Sequence, residues 1–291
     1  MQVIHDEMAL RKALQGEPKV ALVPTMGNLH QGHLSLIELA QTSSAKVVAS
    51  IYVNPLQFGP QEDFKRYPRT LEQDLALLQQ AGVDIVFAPN DETMYPAFDY
   101  EQQRTGQDVI IQLPPVADRL CGAHRKGHFN GVATVVLKLF NMTLSNGCQE
   151  AYAVFGKKDY QQLWLIQHMI KQLNLPIRLL AQETYRAEDG LALSSRNGYL
   201  SEEERQQANQ LHKTLEGLAL LIDQNTNLRQ LEKAGAEWLT EQGWQVDYVE
   251  ICNRATLLPA EKDDQELVIL AAAYLGKTRL IDNLEHQRTR A

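Results

Sequence analysis

Runs rich in Val and Ile recur along the chain as far as residue 182, and each leads into a stretch with helical spacing. KVALVPTMG (19–27) precedes HLSLIELAQ (33–41), and KVVASIYVN (46–54), VDIVFAP (83–89), AYAVFG (151–156) and PIRLLAQ (176–182) read as further strands. The intervening helices include TLEQDLALLQQAG (70–82) and KDYQQLWLIQHMIKQL (158–173). Near-continuous apolar strands have no polar face to offer to water, so both faces of their sheet must be covered. Crossover helices accomplish that around a parallel sheet, and right-handed crossovers favour a doubly wound α/β fold. Ligands of such folds gather at the carboxyl ends of strands, where PTMG, VNPLQFG and FGKKD all fall.

The pattern changes past residue 186. The loop RAEDGLALSSRNGYL leads into SEEERQQANQLHKTLEGLALLID, where Ser201 and Glu204 fit a capping box, and a second helix is expected over about 228–242. QVDYVEICN, ELVILAAAYLG and TRLIDNLEH then follow without long helices between them, which predicts an antiparallel sheet packed on helices. At 291 residues the chain exceeds the usual length of about 150 for one domain. The reading is a domain over 1–185 and a smaller α+β domain over 186–291.

Charge narrows the class of partner. Lys and Arg total 28 against 36 Asp and Glu, so a net charge of -8 offers no general attraction to nucleic acid or anionic membranes. The longest apolar run, LVILAAAYL (267–275), falls well short of the roughly 20 residues that cross a bilayer. The N-terminal MQVIHDEMALRKALQ mixes acids into its first turns, unlike a secretion signal, so a cytoplasmic location is expected. Three widely spaced cysteines, Cys121, Cys148 and Cys252, include no CxxC pair and read as reduced thiols.

Four segments carry possible chemistry. In PTMGNLHQGH (24–33) a strand end meets a helix start, where free backbone N–H groups and the helix dipole suit an anion, and Gly27 and Gly32 permit close approach. His30 and His33, three apart, project to nearly the same side and can donate to phosphate oxygens. Spacing alone favours two surface histidines at a helix start, and a metal pair is a further option for which nothing nearby supplies an obvious third ligand; the strand, Pro-Thr-Met-Gly, helix context shifts the reading toward an anion site. FGKKDYQQL (155–163) offers Lys157 and Lys158 as cations, Asp159 for ribose hydroxyls, and Gln161 and Gln162 as adaptable donors and acceptors, or else a solvated helix start. LSSRN (193–197) joins two hydroxyls to a guanidinium in a loop suited to clamp terminal phosphates. CGAHRKGHF (121–129) has zinc-like spacing but no fourth ligand, and with Arg119, Arg125 and Lys126 it reads as a basic loop near an anionic substrate. Strand-end glycines, an imidazole pair, a lysine and a loop arginine together suit a polyphosphate.

HQGH resembles the HxGH signature of the nucleotidyltransferase superfamily, and LSSRN resembles its KMSKS-type phosphate loop. The similarity is closer to one family. PTMGNLHQGH, VNPLQFGP (53–60), GHFNGVATVVLKLF (127–140), FGKKDYQQL, DGLALSSRNGYL (189–200) and TRLIDN (278–283) resemble, in order, the characteristic blocks of pantothenate synthetases. The resemblance implies a Rossmann-like N-terminal domain, a C-terminal lid domain and a homodimer. It implies a ligase that condenses pantoate with β-alanine through a pantoyl adenylate, using ATP and Mg²⁺ and releasing AMP and pyrophosphate. By motif position His33, His30 and Lys158 would be catalytic. Met26, Gly27, His30, His33, Gly156, Lys158, Asp159, Tyr185, Leu193, Ser194, Ser195 and Arg196 would bind ATP. Asn54, Gln57 and Gln162 would hold pantoate, Gln57 also β-alanine, and Mg²⁺ would be held mainly by the ATP phosphates rather than by protein ligands. Lys126, Lys157 and Tyr185 depart from the residues usual in the family.

Overall fold

Six strands form one parallel sheet: β1 (Gln2–Ile4), β2 (Lys19–Thr25), β3 (Lys46–Ile51), β4 (Ile85–Phe87), β5 (Glu150–Gly156) and β6 (Ile177–Gln182), in the spatial order β1-β4-β3-β2-β5-β6. The computed structural model describes residues 1–59, 64–99, 105–145, 147–224 and 227–288. Pro60, which ends the VNPLQFGP block, and residues 289–291 of the expected C-terminal domain lie outside the described residues. The chain divides into two compact units. The first is Met1–Asp118, Arg125–Gly156 and Gln162–Glu183; the second is Arg119–His124, Lys157–Gln161 and Thr184–Ala291.

In the first unit the helices are α1 (Glu7–Ala13), α2 (Gln31–Gln41), α3 (Leu71–Gln80), the single-turn α4 (Asp91–Met94) and, beyond the short α5 (Cys121–His124) of the second unit, α6 (His128–Thr143). α7 (Tyr160–Gln172) follows β5. Strand periodicity sorts the sheet residues onto two faces. Ala21, Val23, Val47, Ala49, Val86 and Val154 pack with Leu36, Ile37 and Ala40 of α2 and Leu78 of α3. Val20, Leu22, Val48, Phe87 and Ala153 alternate with them, so they lie on the opposite face, and all are solvent-inaccessible. Burial on both faces explains why these strands read as unbroken apolar runs. Sequence periodicity does not foreshadow β1, because three residues are too few for a periodic signal.

The strand order reverses beside β2. The chain runs outward through β3 and β4, then returns to place β5 on the other side of β2, in register from Lys19 with Glu150 to Leu22 with Ala153. A crevice therefore opens at the carboxyl ends of β2 and β5. PTMG and Gly156 stand there, and Pro55–Gln57 follows the adjacent β3.

In the second unit Ser201 and Glu204 form the anticipated capping box at α8 (Glu202–Gln207). The expected single helix from there to Asp223 is broken at Ala208 and Asn209; the Asn209 side chain bonds the Asp189 carbonyl at 3.4 Å rather than extending the helix surface. An antiparallel sheet follows, of β7 (Gln245–Asn253), β8 (Glu266–Leu275) and β9 (Thr278–Gln287). Leu267, Ile269, Ala271 and Ala273 of β8 pack with Leu211, Leu215 and Leu218 of α9 (Gln210–Ile222) and with Leu231 and Leu239 of α10 (Leu228–Glu241).

The ion pairs of this unit predict a loss of stability in acid. Burial would raise the Asp282 carboxyl, but His212 and Arg186 hold it below its ordinary value of 3.8. Arg205 lowers Asp189, and at Glu285 the effect of burial is outweighed by Lys157 and Tyr160, which bring it below 4.5. Buried Glu232 is raised and acts in the opposite sense. Three carboxyls with native values below their unfolded ones contribute stability that is complete above the unfolded values and is lost as pH falls through the native ones. Thermal melts should therefore be flat from neutrality to about pH 5 and fall steeply below about pH 4. A melting temperature that holds to about pH 3 would contradict this.

Candidate active site

Several candidate residues of the first unit are fixed by backbone contacts at the sheet edge, whereas Gln162 lies on α7. After β2 the chain turns through two successive left-handed residues, Gly27 at φ 78° and Asn28 at φ 50°. A Cβ at Gly27 would stand 2.9 Å from Asp74 Oδ2, so the position combines unfavourable φ with a close approach that only glycine meets. Asp74, buried in α3, accepts from Asn28 N at 2.9 Å, Leu29 N at 2.8 Å and the Thr70 hydroxyl at 3.1 Å. Thr25 Oγ1 donates to the Ser50 carbonyl at 2.7 Å and accepts from Gly27 N. The loop that precedes α2 is thus pinned from α3 and from β3.

His30 is the N-cap of α2 and His33 its third residue, and the two cap each other. Gly32 N donates to His30 Nδ1 at 3.1 Å, His30 N donates to His33 Nδ1 at 3.2 Å, and the ring centroids lie 4.1 Å apart. Both Nδ1 atoms are acceptors, so each neutral imidazole carries its proton on Nε2. HQGH is a capping box written in histidines, a device that yields two Nε2–H donors of fixed tautomer beside a helix N-terminus.

Asn54 caps the 3₁₀ turn Pro55–Gln57 and lies at the centre of a buried network. Its Nδ2 donates to Gln57 Oε1 at 3.0 Å and to the Gly131 carbonyl at 3.2 Å, while its Oδ1 accepts from Tyr95 Oη at 2.7 Å. Burial pushes the Tyr95 phenol up, so it stays a neutral donor. Holding Gln57 Oε1 fixes the amide so that its nitrogen presents donors on the other side. The Gln57 carbonyl accepts from Arg125 Nη2 at 3.1 Å and His128 Nδ1 at 2.8 Å. α6 reaches this turn only because residue 131 is glycine: a Cβ there would overlap the Leu56 carbonyl. On the expectation from the sequence that this turn holds an acid substrate, Gly131→Ala should move the Asn54–Gln57 turn and raise KM for that acid by about tenfold, while KM for the nucleotide stays within about twofold. Equal changes in both would refute the assignment.

The second unit carries Lys158, Asp159, Tyr185, Leu193, Ser194, Ser195 and Arg196. Ser194 caps the 3₁₀ turn Ser195–Tyr199, accepting from Arg196 N at 3.2 Å, and Asn197 closes the box on Ser194 N. The preceding loop is a small hairpin: Leu193 N bonds the Tyr185 carbonyl, Arg186 bridges Ala192, and Gly190 turns at φ 94°. The exposed Tyr185 side chain leaves its backbone carbonyl as the structural contact.

The pantoate–β-alanine ligase sequence profile matches residues 2–285. The chain belongs to the pantoate–β-alanine ligase family. The pantothenate synthetase of Methylobacillus flagellatus is 52% identical over 286 residues, 98% of each chain. That of Nitrosomonas europaea is 50% identical over 284 residues, 97% of this chain and 98% of its own. The crystal structure of the Thermus thermophilus pantothenate synthetase matches with a TM-score of 0.88 at 44% identity, covering 98% of this chain and 99% of its own. The pantoate–β-alanine ligase of Francisella tularensis, complexed with beta-gamma ATP and β-alanine, matches with a TM-score of 0.73 at 31% identity, covering 98% and 97%.

Several residues of this ligase family member make contacts that their local sequence does not foreshadow. Arg119, read as part of a basic loop, pairs with Glu250 at 2.8 Å. Gln161 is buried, with both amide ends committed to Cys121 N and the Arg119 carbonyl. In CGAHRKGHF, Cys121 Sγ lies 3.1 Å from Tyr248 Oη, His124 pairs with Asp247 at 3.5 Å, and His128 serves Gln57. Lys157 pairs with Glu285 at 2.9 Å. Sequence reasoning misses Asp74; the available signal is an acid on the stripe shared with Leu71 and Leu78, which breaks the amphipathic pattern of α3.

Proposed function

We propose that the chain is the ligase that condenses pantoate with β-alanine to give pantothenate, consuming ATP through a pantoyl adenylate and releasing AMP and pyrophosphate. Family membership over residues 2–285 carries the reaction. The histidine capping box at the β2/β5 crevice supports the same chemistry independently, because it offers two imidazole donors where a triphosphate can lie.

A carboxylate expels oxide poorly, so pantoate must first attack the α-phosphorus of ATP, making AMP the later leaving group. His30 and His33 donate from Nε2 to the phosphate oxygens as charge builds there, together with Met26 and Gly27 at the loop, Lys158, and Ser194, Ser195 and Arg196. Gly156, Asp159, Tyr185 and Leu193 receive the nucleoside. Asn54, Gln57 and Gln162 hold pantoate, with Gln57 also beside the β-alanine position. In the second step the free amine of β-alanine attacks the acyl carbonyl, and backbone N–H groups near Met26 steady the oxyanion. Residues 186–291 act as the lid domain that keeps water from the adenylate.

Among the described residues no group of three His, Cys, Asp or Glu side chains is placed to hold a metal ion. Mg²⁺ would come with ATP as its chelate and would be held mainly by the phosphates, whose charge it would neutralise. No described helix is long and apolar enough to cross a membrane. The three cysteines are free thiols, as a reducing cytoplasm would keep them, and the homodimer rests on the family resemblance.

The test is direct. Protein, MgATP, pantoate and β-alanine should yield AMP and pyrophosphate, with net turnover requiring both cosubstrates. Nucleotide left on the product, or turnover indifferent to pantoate, would sink the proposal.

A further inference from the structure

TRLIDN, a motif block with no part in the chemistry above, runs along β9 and makes a set of side-chain contacts within the second unit. Resting on the ligase reading, we propose that Asn283 and Glu285 of β9 are positioning residues for Lys158, and that Asp282, on the other side of the same strand, sets the hairpin that leads into SSRN.

The KKD turn is poorly able to hold itself. It is a single 3₁₀ turn, Lys157–Asp159, too short for its own hydrogen bonds to define it. Asn283 Nδ2 donates one proton to the Lys157 carbonyl and the other to the Lys158 carbonyl, both at 2.9 Å. Asn283 is buried, so neither bond competes freely with water. Two residues along the strand and hence on the same face, the Glu285 carboxylate receives Lys157 Nζ at 2.9 Å, Tyr160 Oη at 2.8 Å and Arg254 Nη2 at 3.1 Å. One strand face thus holds two carbonyls of the turn, a side chain within it and a side chain just beyond it.

Lys157 therefore commits its charge to Glu285, which gives that departure from the family pattern a structural role. Lys158, its backbone held by Asn283, has the half-exposed Asp159 carboxylate 3.6 Å from its Nζ, a loose pairing that a phosphate can replace. Neighbouring Asp282 binds Arg186 through Nη1 at 2.7 Å and Nη2 at 2.9 Å, and Arg186 also donates to the Gly190 carbonyl at 3.0 Å inside the hairpin that leads to Ser194. Consecutive residues of one strand hold the two segments proposed to meet the triphosphate. Fixing two such segments from one rigid strand is preorganisation: the spacing of their donors is set before ATP arrives.

The test separates ATP positioning from folding and from the reaction. Binding of a non-hydrolysable ATP analogue with Mg²⁺ is titrated, and KM for ATP and for pantoate are measured, in the wild type, Asn283→Asp, Asn283→Ala and Glu285→Gln. Loss of both Asn283 donors should weaken analogue binding and raise KM for ATP by about tenfold, with KM for pantoate within about twofold. Glu285→Gln, at a partly exposed side chain, should give a rise of about threefold and carries the test if the Asn283 variants do not fold. Wild-type analogue binding in all variants would overturn the proposal. A parallel rise in both KM values with a lowered melting temperature would overturn it too, since that is what a merely structural contact gives. A wild type that binds the analogue but makes no pantoate-dependent AMP would refute the ligase reading while the binding arm still decides the role of Asn283.

Discussion

His33→Asn is expected to slow formation of the adenylate by about a hundredfold while leaving the melting temperature and pantoate affinity close to wild type. Asparagine places Oδ1 where His33 Nδ1 accepts from His30 N, so the helix cap survives, but it has nothing in the position of the Nε2 proton. His33→Ala removes the cap as well and should add a loss of helix stability of about 1 kcal/mol. Pantoate-dependent exchange of pyrophosphate into ATP reads the first step alone. A His33→Asn enzyme with wild-type exchange would mean that the imidazole serves only as a cap.

Asp74→Asn should also be damaging, although Asp74 meets no substrate in the proposed mechanism. Its carboxylate receives two backbone N–H groups, from Asn28 and Leu29, and the Thr70 hydroxyl. An amide offers one oxygen in place of two and turns its NH₂ toward a buried donor, an arrangement costing about 2 kcal/mol. The loop before His30 would lose its anchor, so kcat/KM for ATP should fall by more than about tenfold. Methylene insertion in Asp74→Glu should not rescue it, because Gly27 is already at the contact limit with this carboxylate. Wild-type kcat/KM in either variant would show that the loop holds its own shape.

Most of the candidate site is legible in the sequence because the relevant signals are local. Strand-then-helix spacing places PTMG, VNPLQFG and FGKKD at strand ends, and the structure has them at the carboxyl ends of β2, β3 and β5. The Ser201 and Glu204 capping box is legible for the same reason: both partners lie within one helical turn. What escapes is long-range pairing. Arg119 looks like a free cation in its own segment and is neutralised by Glu250, 131 residues away. Lys157 looks like a phosphate ligand and meets Glu285, 128 residues on. Asp74 is 46 residues from the loop it anchors.

The amino-acid sequence by itself determined the α/β class, the parallel sheet and the antiparallel C-terminal sheet, because hydrophobic periodicity and capping act over a few residues. Only the tertiary structure decided which charges pair across the chain and which backbone groups the histidine rings face. Charge neutralisation depends on which strands become neighbours, and a tautomer depends on which backbone N–H the ring faces. His30 and His33 are visible as a pair in HQGH; that the two form a capping box was settled by the fold.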